Sequence, residues 1–403
     1  MSNDMIPFSP PVITEEDIEA VVSVLRSGWI TSGPVGRDFE QALTRFTGAA
    51  GTVVLNSATA GLEIALRLSG VGPGDEVIVP AYTYTASASV VSRVGARIVL
   101  VDTEPGSCLP SAEGIMAAVT GRTRAIITVD LAGIPFDTRP LARALEALPP
   151  TGATSSGLAG ELGRPVLIAD GAHSLGGRLA QDRAGTIADL TAFSFHAVKN
   201  LTTAEGGALQ WRTGLPTDPE ALERSIRLLS LHGQSKDALA KMTGASWEYD
   251  IEILGGKANM PDVLAALGLS QLDRYESMIQ RRLSVVEAYR TRLEAIGIDL
   301  LEHEGPGVRS SGHLAIASLP VAGVEERNAF IEAMRRHGVA TNVHYKPLPM
   351  LSAYAGLGMS PEATPNAVGF YSTEVTLPLH MALTDDDVER VCRASRESLA
   401  EVS

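Results

Sequence analysis

Two segments of the chain place a side chain suited to acid–base or nucleophilic chemistry at the end of an apolar strand or shortly after it. In the first, the run VLIAD at 166–170 ends in Asp170. The carboxyl ends of strands in an open α/β sheet face the ligand crevice, so a carboxylate there can hold a cationic nitrogen. When Asp170 is considered alone, a helix N-cap or turn aspartate is the stronger interpretation.

The second segment carries a lysine. A strand at 190–194 ends in Ser194, Lys199 follows in the next turn, and Gly206 and Gly207 then permit a tight turn into another strand. An amine in such an apolar, glycine-flanked setting loses hydration, which lowers its pKa and favours Schiff-base chemistry. The alternative interpretation is an exposed loop lysine.

A third segment, LNSATAGL at 55–62, lies between a strand and a helix. Small hydroxyl residues and free N–H groups at a helix start form an anion cradle, although helix capping alone explains Ser57 or Thr59. The three segments together match one cofactor. Pyridoxal 5′-phosphate needs a lysine for its aldehyde, a carboxylate for its ring nitrogen and a cup for its phosphate. Tyr84 in PAYTYTAS can supply an aromatic face for the ring.

Over almost its whole length the chain resembles the DegT/DnrJ/EryC1/StrS aminotransferases, a sugar-aminotransferase branch of the aspartate aminotransferase fold type. The lysine block and the Asp-x-x-His block are the most specific markers of the resemblance. The markers run in family order: SGWITSGP (27–34), NSATAGLEIAL (56–66), PAYTYTASA (80–88), ADGAHSLGG (169–177), FSFHAVKNLTTAEGG (193–207), GGKANMPDVLAALGLSQL (255–272) and TNVHYKPLP (341–349).

The resemblance implies a role for each matching residue. Lys199 forms the covalent bond with the cofactor's aldehyde, Asp170 pairs with the pyridinium nitrogen, and His173 supports the side of the ring that carries the hydroxyl. Tyr84 stacks on the ring. The phosphate and sugar contacts are implied for the following residues: Ala58 (by its backbone), Thr59 and Ser194 for the phosphate, Asn259 for the phosphate of the neighbouring subunit, and Trp29, Ile30, Thr31, His344 and Tyr345 for the sugar side.

The same resemblance implies a two-half transamination. Glutamate or glutamine gives its amino group to pyridoxal 5′-phosphate, and the loaded cofactor then aminates a nucleotide-linked keto-sugar such as a 4-keto-6-deoxy-hexose, for polysaccharide or natural-product aminosugar biosynthesis. A homodimer with shared active sites is implied as well. The alternatives are a lyase or dehydratase of the same fold and a cofactor-binding regulator. Lys199 argues against the dehydratases, which have His in place of the lysine.

Several positions depart from the family pattern. Asp130 stands where many relatives have His, and Ala258 replaces the usual aromatic residue, so we expect both to alter the substrate pocket. Ala204 replaces a Gly conservatively. The Gly-, Ser- and Ala-rich stretch at 150–164 is longer than the family leads us to expect, and we interpret it as a flexible surface insertion.

The elements that must position these residues alternate along the chain. Short apolar runs rich in Val and Ile, separated by helical patterns, predict an α/β fold with a mostly parallel sheet covered by helices on both faces. The resemblance makes this the seven-stranded sheet of fold type I, in a large domain at 1–264 followed by a smaller α+β domain at 265–403. Strands are predicted at 52–55, 76–79, 97–101, 124–129, 166–170, 190–194 and 207–211. Helices are predicted from a capping box at Thr14, at 36–47, 58–69, 85–94 and 138–147, and as one long helix after Pro261.

Composition narrows the classes of function. The 403 residues are 45% hydrophobic and carry a net charge of −14, which excludes global disorder and argues against a nucleic-acid binder. Two cysteines and eight scattered histidines predict neither a disulfide framework nor a metal site. We read no signal peptide and no membrane span, and unpaired thiols suit a reducing cytoplasm.

Overall fold

The computed structural model describes residues 5–148, 156–235 and 248–402. Its centre is a seven-stranded sheet with the strand order β1-β9-β8-β5-β4-β2-β3. Strand β9 runs antiparallel to both neighbours, and every other neighbouring pair is parallel. The predicted α/β class and mostly parallel sheet are therefore confirmed. The strands of this sheet are β1 (Gly51–Leu55), β2 (Glu76–Pro80), β3 (Arg97–Val101), β4 (Thr123–Val129), β5 (Val166–Asp170), β8 (Leu190–Ser194) and β9 (Gly207–Trp211).

Each predicted strand of this sheet lies within one residue of its observed bounds. Val, Ile and Leu fill these strands almost without interruption, because helices cover both faces. The helices up to the end of the sheet are α1 (Glu15–Ser27), α2 (Pro34–Thr47), α3 (Ala58–Leu68), α4 (Thr85–Arg93), α5 (Ala112–Ala117), α6 (Arg139–Glu146), α7 (Gly157–Leu162) and α8 (Pro219–Ser230).

The predicted long helix after Pro261 is two helices, α9 (Asp262–Leu272) and α10 (Tyr275–Leu293). Asp273 and Arg274 form a turn between them, with φ −99° and ψ 0° at Arg274. Its guanidinium is paired with the buried Asp17 of α1, and this pairing anchors the end of α9 against α1. The apolar spacing continues across the break, so the sequence pattern could not reveal it.

The C-terminal part builds a second, smaller core. A three-stranded antiparallel sheet of β10 (Asp299–Leu300), β13 (Ala315–Ser318) and β14 (Glu374–Leu377) packs with α10 and with helices α11 (Val324–Arg336) and α14 (Asp385–Val402). Ile6 from the N-terminus is also buried in this core. The domain boundary at 264/265 stays a prediction.

The remaining helices are α12 (Ser352–Ala355) and α13 (Pro365–Thr373), and the remaining strands are β6 (Arg178–Leu179), β7 (Asp182–Arg183), β11 (Glu304–Gly305) and β12 (Val308–Arg309).

The prediction that residues 150–164 form a flexible insertion is wrong for the part that the structure describes. Residues 150–155 lie outside the described residues, but Gly157–Leu162 form helix α7. Leu158 and Ala159 of this helix are buried in the main core, next to α3 and β5. Two apolar side chains in a small-residue stretch are enough to fix this helix against the core. The composition alone did not show that they would be buried.

Two properties of the described residues bear on function. None of their helices combines the length and the apolar content that crossing a bilayer requires. Within the same ranges, no three His, Cys, Asp or Glu side chains are grouped so that they could hold a metal ion.

Candidate active site

Lys199 and Asp170 face one cavity at the carboxyl edge of the central sheet. The cavity has a volume of about 340 Å³. Strands β5 and β8 are parallel neighbours, so their carboxyl ends bring Asp170 and the turn that carries Lys199 to the same edge. The lining residues are Ser57, Ala58, Thr59, Leu62, Thr83, Tyr84, Ala86, Val129, Asp170, Ala172, His173, Ser194, His196, Val198, Lys199, Glu205, Gly206 and Tyr345.

Burial shifts the pKa values of both groups. It lowers the pKa of Lys199 to about 8 from 10.5, although the negative charge of Asp170 acts in the opposite direction. Burial also raises the pKa of Asp170, against hydrogen bonds from Ser87 and Ala172 and the charge of Lys199. A lysine with a pKa near neutrality has a larger neutral fraction, and the neutral amine is the form that attacks a carbonyl carbon.

Asp170 is held in a fixed orientation. The Ser87 hydroxyl donates to Asp170 Oδ2 at 2.7 Å, and the Ala172 N–H donates to Oδ1 at 3.2 Å. Thr83 in turn lies 2.9 Å from the Ser87 hydroxyl. Sequence reasoning missed Ser87 as a site residue, because a serine inside a helix carries no distinctive signal.

The N-terminus of α3 forms an open anion cradle beside Lys199. Ser57 is the N-cap, and its hydroxyl accepts from the Ala60 N–H at 3.1 Å. The N–H groups of Ala58 and Thr59 have no possible partner inside the helix, so they are available to an anion in the cavity. A Cβ at position 207 would lie 2.4 Å from the Ala58 nitrogen, so only glycine permits β9 to pass this close. This arrangement fits a phosphate group.

Tyrosine and histidine side chains form another wall of the cavity. The Tyr84 ring lies 5.6 Å from the Tyr345 ring, and the Tyr345 hydroxyl lies 3.2 Å from His173 Nε2. Burial lowers the pKa of His173 well below its usual range, so its imidazole is neutral. His173 Nδ1 is buried and has no partner among the described residues, which leaves a polar atom available to a bound group.

A second histidine, which sequence reasoning missed, supports this wall from behind. The His313 ring lies 4.3 Å from the His173 ring at a tilted angle of 43°, and its Nδ1 lies 2.9 Å from the Asn200 side-chain oxygen. His313 stands in SSGHL before β13, far from every motif in the sequence. Only the folding of the C-terminal part onto the sheet brings it there.

Five of the predicted site residues are not part of the wall of this cavity. His344 lies behind Tyr345, where its N–H donates to Glu374 and its ring faces Thr376. The other four are grouped around Ser32, away from the cavity of their own chain. They are Trp29, Ile30, Thr31 and Asn259. Their roles toward substrate or cofactor stay predictions.

The expectation that Asp130 alters the substrate pocket stays a prediction, and Asp130 does not reach the cavity itself. Asp130 is buried behind the cavity and does not line it. Its carboxylate accepts from the Phe136 N–H at 2.9 Å and lies 2.5 Å from the Ser174 hydroxyl. The carboxyl therefore faces inward, toward the polypeptide and away from the cavity. Ala258 does not line the cavity of its own chain either.

Residues 11–396 match the family model of the DegT/DnrJ/EryC1/StrS aminotransferase family. The chain belongs to this aminotransferase family. It is 36% identical over 400 residues to the spore coat polysaccharide biosynthesis protein SpsC of Bacillus subtilis, covering 98% of this chain and 97% of SpsC.

Solved structures of the family share the whole architecture. Spr1654 of Streptococcus pneumoniae, which is assigned to the sugar aminotransferases, was solved in a PLP form. It matches with 45% identity and a TM-score of 0.95 over 99% of this chain and 100% of that one. The aminotransferase TlmJ of Streptoalloteichus hindustanus matches with 30% identity and a TM-score of 0.85, covering 98% and 99% of the two chains. The fold is therefore fold type I, and the protein is a PLP-dependent aminotransferase of the sugar-aminotransferase family.

The family's cofactor is pyridoxal 5′-phosphate, and the residues present fit it. The α3 cradle suits the phosphate, Asp170 suits a protonated ring nitrogen, and Lys199 suits the aldehyde. When bound, the cofactor supplies an electron sink for the carbanion that forms at the amino-group carbon.

Proposed function

We propose that this aminotransferase moves an amino group from glutamate or glutamine to a nucleotide-linked keto-sugar, specifically a 4-keto-6-deoxy-hexose. The product would serve polysaccharide or natural-product aminosugar biosynthesis. The observation that carries the proposal is the open cavity that joins Lys199, Asp170 and the α3 cradle. The relation to SpsC, named for spore coat polysaccharide biosynthesis, favours a sugar acceptor over a 2-keto acid.

In this proposal each residue at the cavity has one task. Lys199 moves a proton between the amino-group carbon of the substrate and the aldehyde carbon of the cofactor. Its amine has a pKa of about 8, so it can both accept and donate a proton near neutral pH. Asp170 keeps the cofactor's ring nitrogen protonated through a carboxylate that Ser87 orients. The N–H groups of Ala58 and Thr59, with the Ser194 hydroxyl, hold the phosphate. Tyr84 covers one face of the ring.

We further propose a homodimer in which each subunit completes the partner's site. Asn259 lies outside the cavity of its own chain, next to Ser32, so it is available to a neighbouring one. Large apolar side chains near it are exposed, including Ile30 at 53% and Leu254 at 97%. Exposed apolar surface of this kind is typical of a protein–protein interface. The Ile18 and Leu25 side chains of α1 are exposed as well.

A reducing compartment is the location that we propose. Cys108 and Cys392 are both buried and unpaired. Burial raises the pKa of Cys108 to about 12, which keeps its thiol protonated and unreactive. Buried free thiols fit the cytoplasm, where disulfides are rare.

The substrate proposal is tested by a side-by-side rate comparison. With glutamate as donor, the enzyme should aminate a nucleotide-linked 4-keto-6-deoxy-hexose at least about 100-fold faster than oxaloacetate or pyruvate, a difference of about 2.7 kcal/mol in barrier. Lys199→Ala provides the inactive control for both acceptors. A preference for 2-keto acids would assign the enzyme to amino-acid metabolism and would refute the sugar proposal.

A further inference from the structure

A second buried carboxyl group lies directly beside Asp170. Asp130 follows β4, and Asp170 ends the parallel neighbour β5. Val129 pairs with Asp170 in register, and the Asp130 N–H donates to the Asp170 carbonyl oxygen at 3.1 Å. Both side chains are almost fully buried, with 3% and 6% of their surface exposed. The two carboxyl groups therefore share one region of low dielectric.

Burial and the charge of Asp170 outweigh two hydrogen bonds to Asp130 that lower the pKa of its carboxyl group. Its Oδ1 accepts from the Phe136 N–H, and its Oδ2 lies 2.5 Å from the Ser174 hydroxyl. That hydroxyl also lies 3.4 Å from the Gly171 carbonyl oxygen. A hydroxyl can donate and accept at once. The Ser174 hydroxyl donates to ionised Asp130; when Asp130 is protonated, this hydroxyl can turn to accept from Asp130 and donate to the Gly171 carbonyl oxygen.

The charges around the two carboxyl groups are unequal. Lys199 acts on Asp170 and stabilises its ionised form, together with the hydroxyl of Ser87. On Asp130 the charge that acts is Asp170 itself, which is negative. Burial and this charge raise the pKa of Asp130 to about 7. The nearby His173 is neutral, since burial keeps its pKa well below its usual range, so it does not offset the pair. When two carboxylates share a site, ionisation of one disfavours ionisation of the other.

We propose that Asp130 and Asp170 share a single negative charge, with the proton on Asp130 and the ionised carboxylate on Asp170, the one that faces the cavity. Asp130 is then a positioning residue that acts through Asp170 and does not touch the cofactor. As the pH rises, Asp130 loses its proton and a second negative charge appears behind Asp170. The ring nitrogen of the bound cofactor then experiences a stronger field. This inference rests on the proposed role of Asp170.

The first experiment locates the proton in cofactor-free protein. Infrared difference spectra between about pH 6 and about pH 8 should show loss of the carbonyl band of a protonated carboxyl group, because Asp130 ionises in this window. Asp130→Asn should remove that component, since the amide keeps both hydrogen bonds but cannot ionise. Glu374, whose burial raises its pKa to about 7, contributes a second component, which Glu374→Gln identifies. Asp102→Asn, just after β3 in the same sheet, is the matched control and should change neither component.

The second experiment measures the consequence at the cofactor. The ¹⁵N chemical shift of the ring nitrogen in bound, labelled pyridoxal 5′-phosphate should show an inflection near pH 7 in the wild type and in Asp102→Asn. Asp130→Asn should match the wild type at about pH 6 and should lack the inflection. An unchanged inflection in Asp130→Asn, or an infrared spectrum that this variant does not alter, overturns the inference. A ring-nitrogen shift that Asp170→Asn leaves unchanged would instead refute the proposed role of Asp170, while the infrared result still decides where the proton lies.

Discussion

Burial sets the pKa of Lys199. The chain has five lysines, and burial lowers the pKa of this one to about 8, while Asp170 keeps the shift from being larger. Below this pH the amine is charged and does not attack an aldehyde, and above it the amine is neutral and does so. The negative charge of Asp170 stabilises the charged amine of Lys199. The two side chains do not form a tight ion pair that would immobilise the lysine.

The labelling of Lys199 by cofactor should therefore follow this pKa. Pyridoxal 5′-phosphate added to cofactor-free protein and fixed with borohydride should label Lys199, with a rate that is half-maximal near pH 8. Peptide mass spectrometry measures the site, and the exposed Lys346 serves as an internal reference. Labelling of another lysine in place of Lys199, or a rate that is flat across this range, would contradict the assignment.

The two edges of the central sheet have different tasks. At the carboxyl edge, β1, β5 and β8 lead into the segments that line the cavity. At the amino edge, Glu76 of β2 ties the neighbouring strands together. Its buried carboxylate accepts from Arg97, which begins β3, and from Arg122, which precedes β4, each at 2.7 Å. Burial opposes the charge on Glu76, but bonds from Arg97, Thr120 and Arg122 outweigh it and lower the pKa to about 2.

Loss of this carboxylate should make the protein less stable in a pH-dependent way. A lowered folded-state pKa stabilises the fold above the unfolded value of 4.5, and the contribution is lost as the pH falls to about 2. We expect Glu76→Gln to lower the free energy of unfolding by about 1–2 kcal/mol at neutral pH, a discounted value because both arginines are exposed to solvent. The urea midpoints of variant and wild type should converge at about pH 2.

Glu332→Gln is the matched control for this stability measurement. Glu332 pairs with Arg335 on the surface of α11, where a salt bridge contributes little. A Glu76→Gln variant with the same urea midpoint as the control at neutral pH would show that the amino edge does not depend on this charge.

At the scale of the whole molecule, Asn259 and Lys199 belong to different surfaces of one subunit. Asn259 contacts Lys257 and Ser32 in its own chain and lies outside the cavity. Two copies related by a twofold axis can place this residue in the partner's site, because a symmetric interface presents the same surface twice. Contact between subunits would then complete the phosphate site and couple cofactor affinity to dimer formation.

Mixed dimers test this sharing directly. Lys199→Ala and Asn259→Ala subunits are each expected to be weakly active alone. In a hybrid with shared sites, both defects fall in one site and the other site is intact, so each hybrid dimer should have about half of the wild-type activity. Hybrids that form, as native mass spectrometry would show, but recover no activity would place Asn259 outside the partner's site. Mixing each variant with itself is the control.

The sequence by itself determined the elements of the sheet and the identity of the chemistry. Continuous apolar strands are local signals, and the strands predicted at 97–101, 166–170, 190–194 and 207–211 have the bounds that the structure shows. Asp170 and Lys199 were predicted as site residues because Asp170 ends one such strand and Lys199 follows another, and the parallel sheet brings both to one edge. Strand order and pairing follow from long-range contacts, so the sequence did not determine them directly.

Tertiary structure alone decided the surroundings of these residues. The direction of Asp130, the contact between the His313 and His173 rings and the orientation of Asp170 by Ser87 join positions that are far apart in the chain. The break between α9 and α10 and the burial of α7 follow from packing against distant elements. Local sequence patterns record the period of a helix or strand, whereas burial and pKa depend on which elements meet, and that is a property of the folded chain.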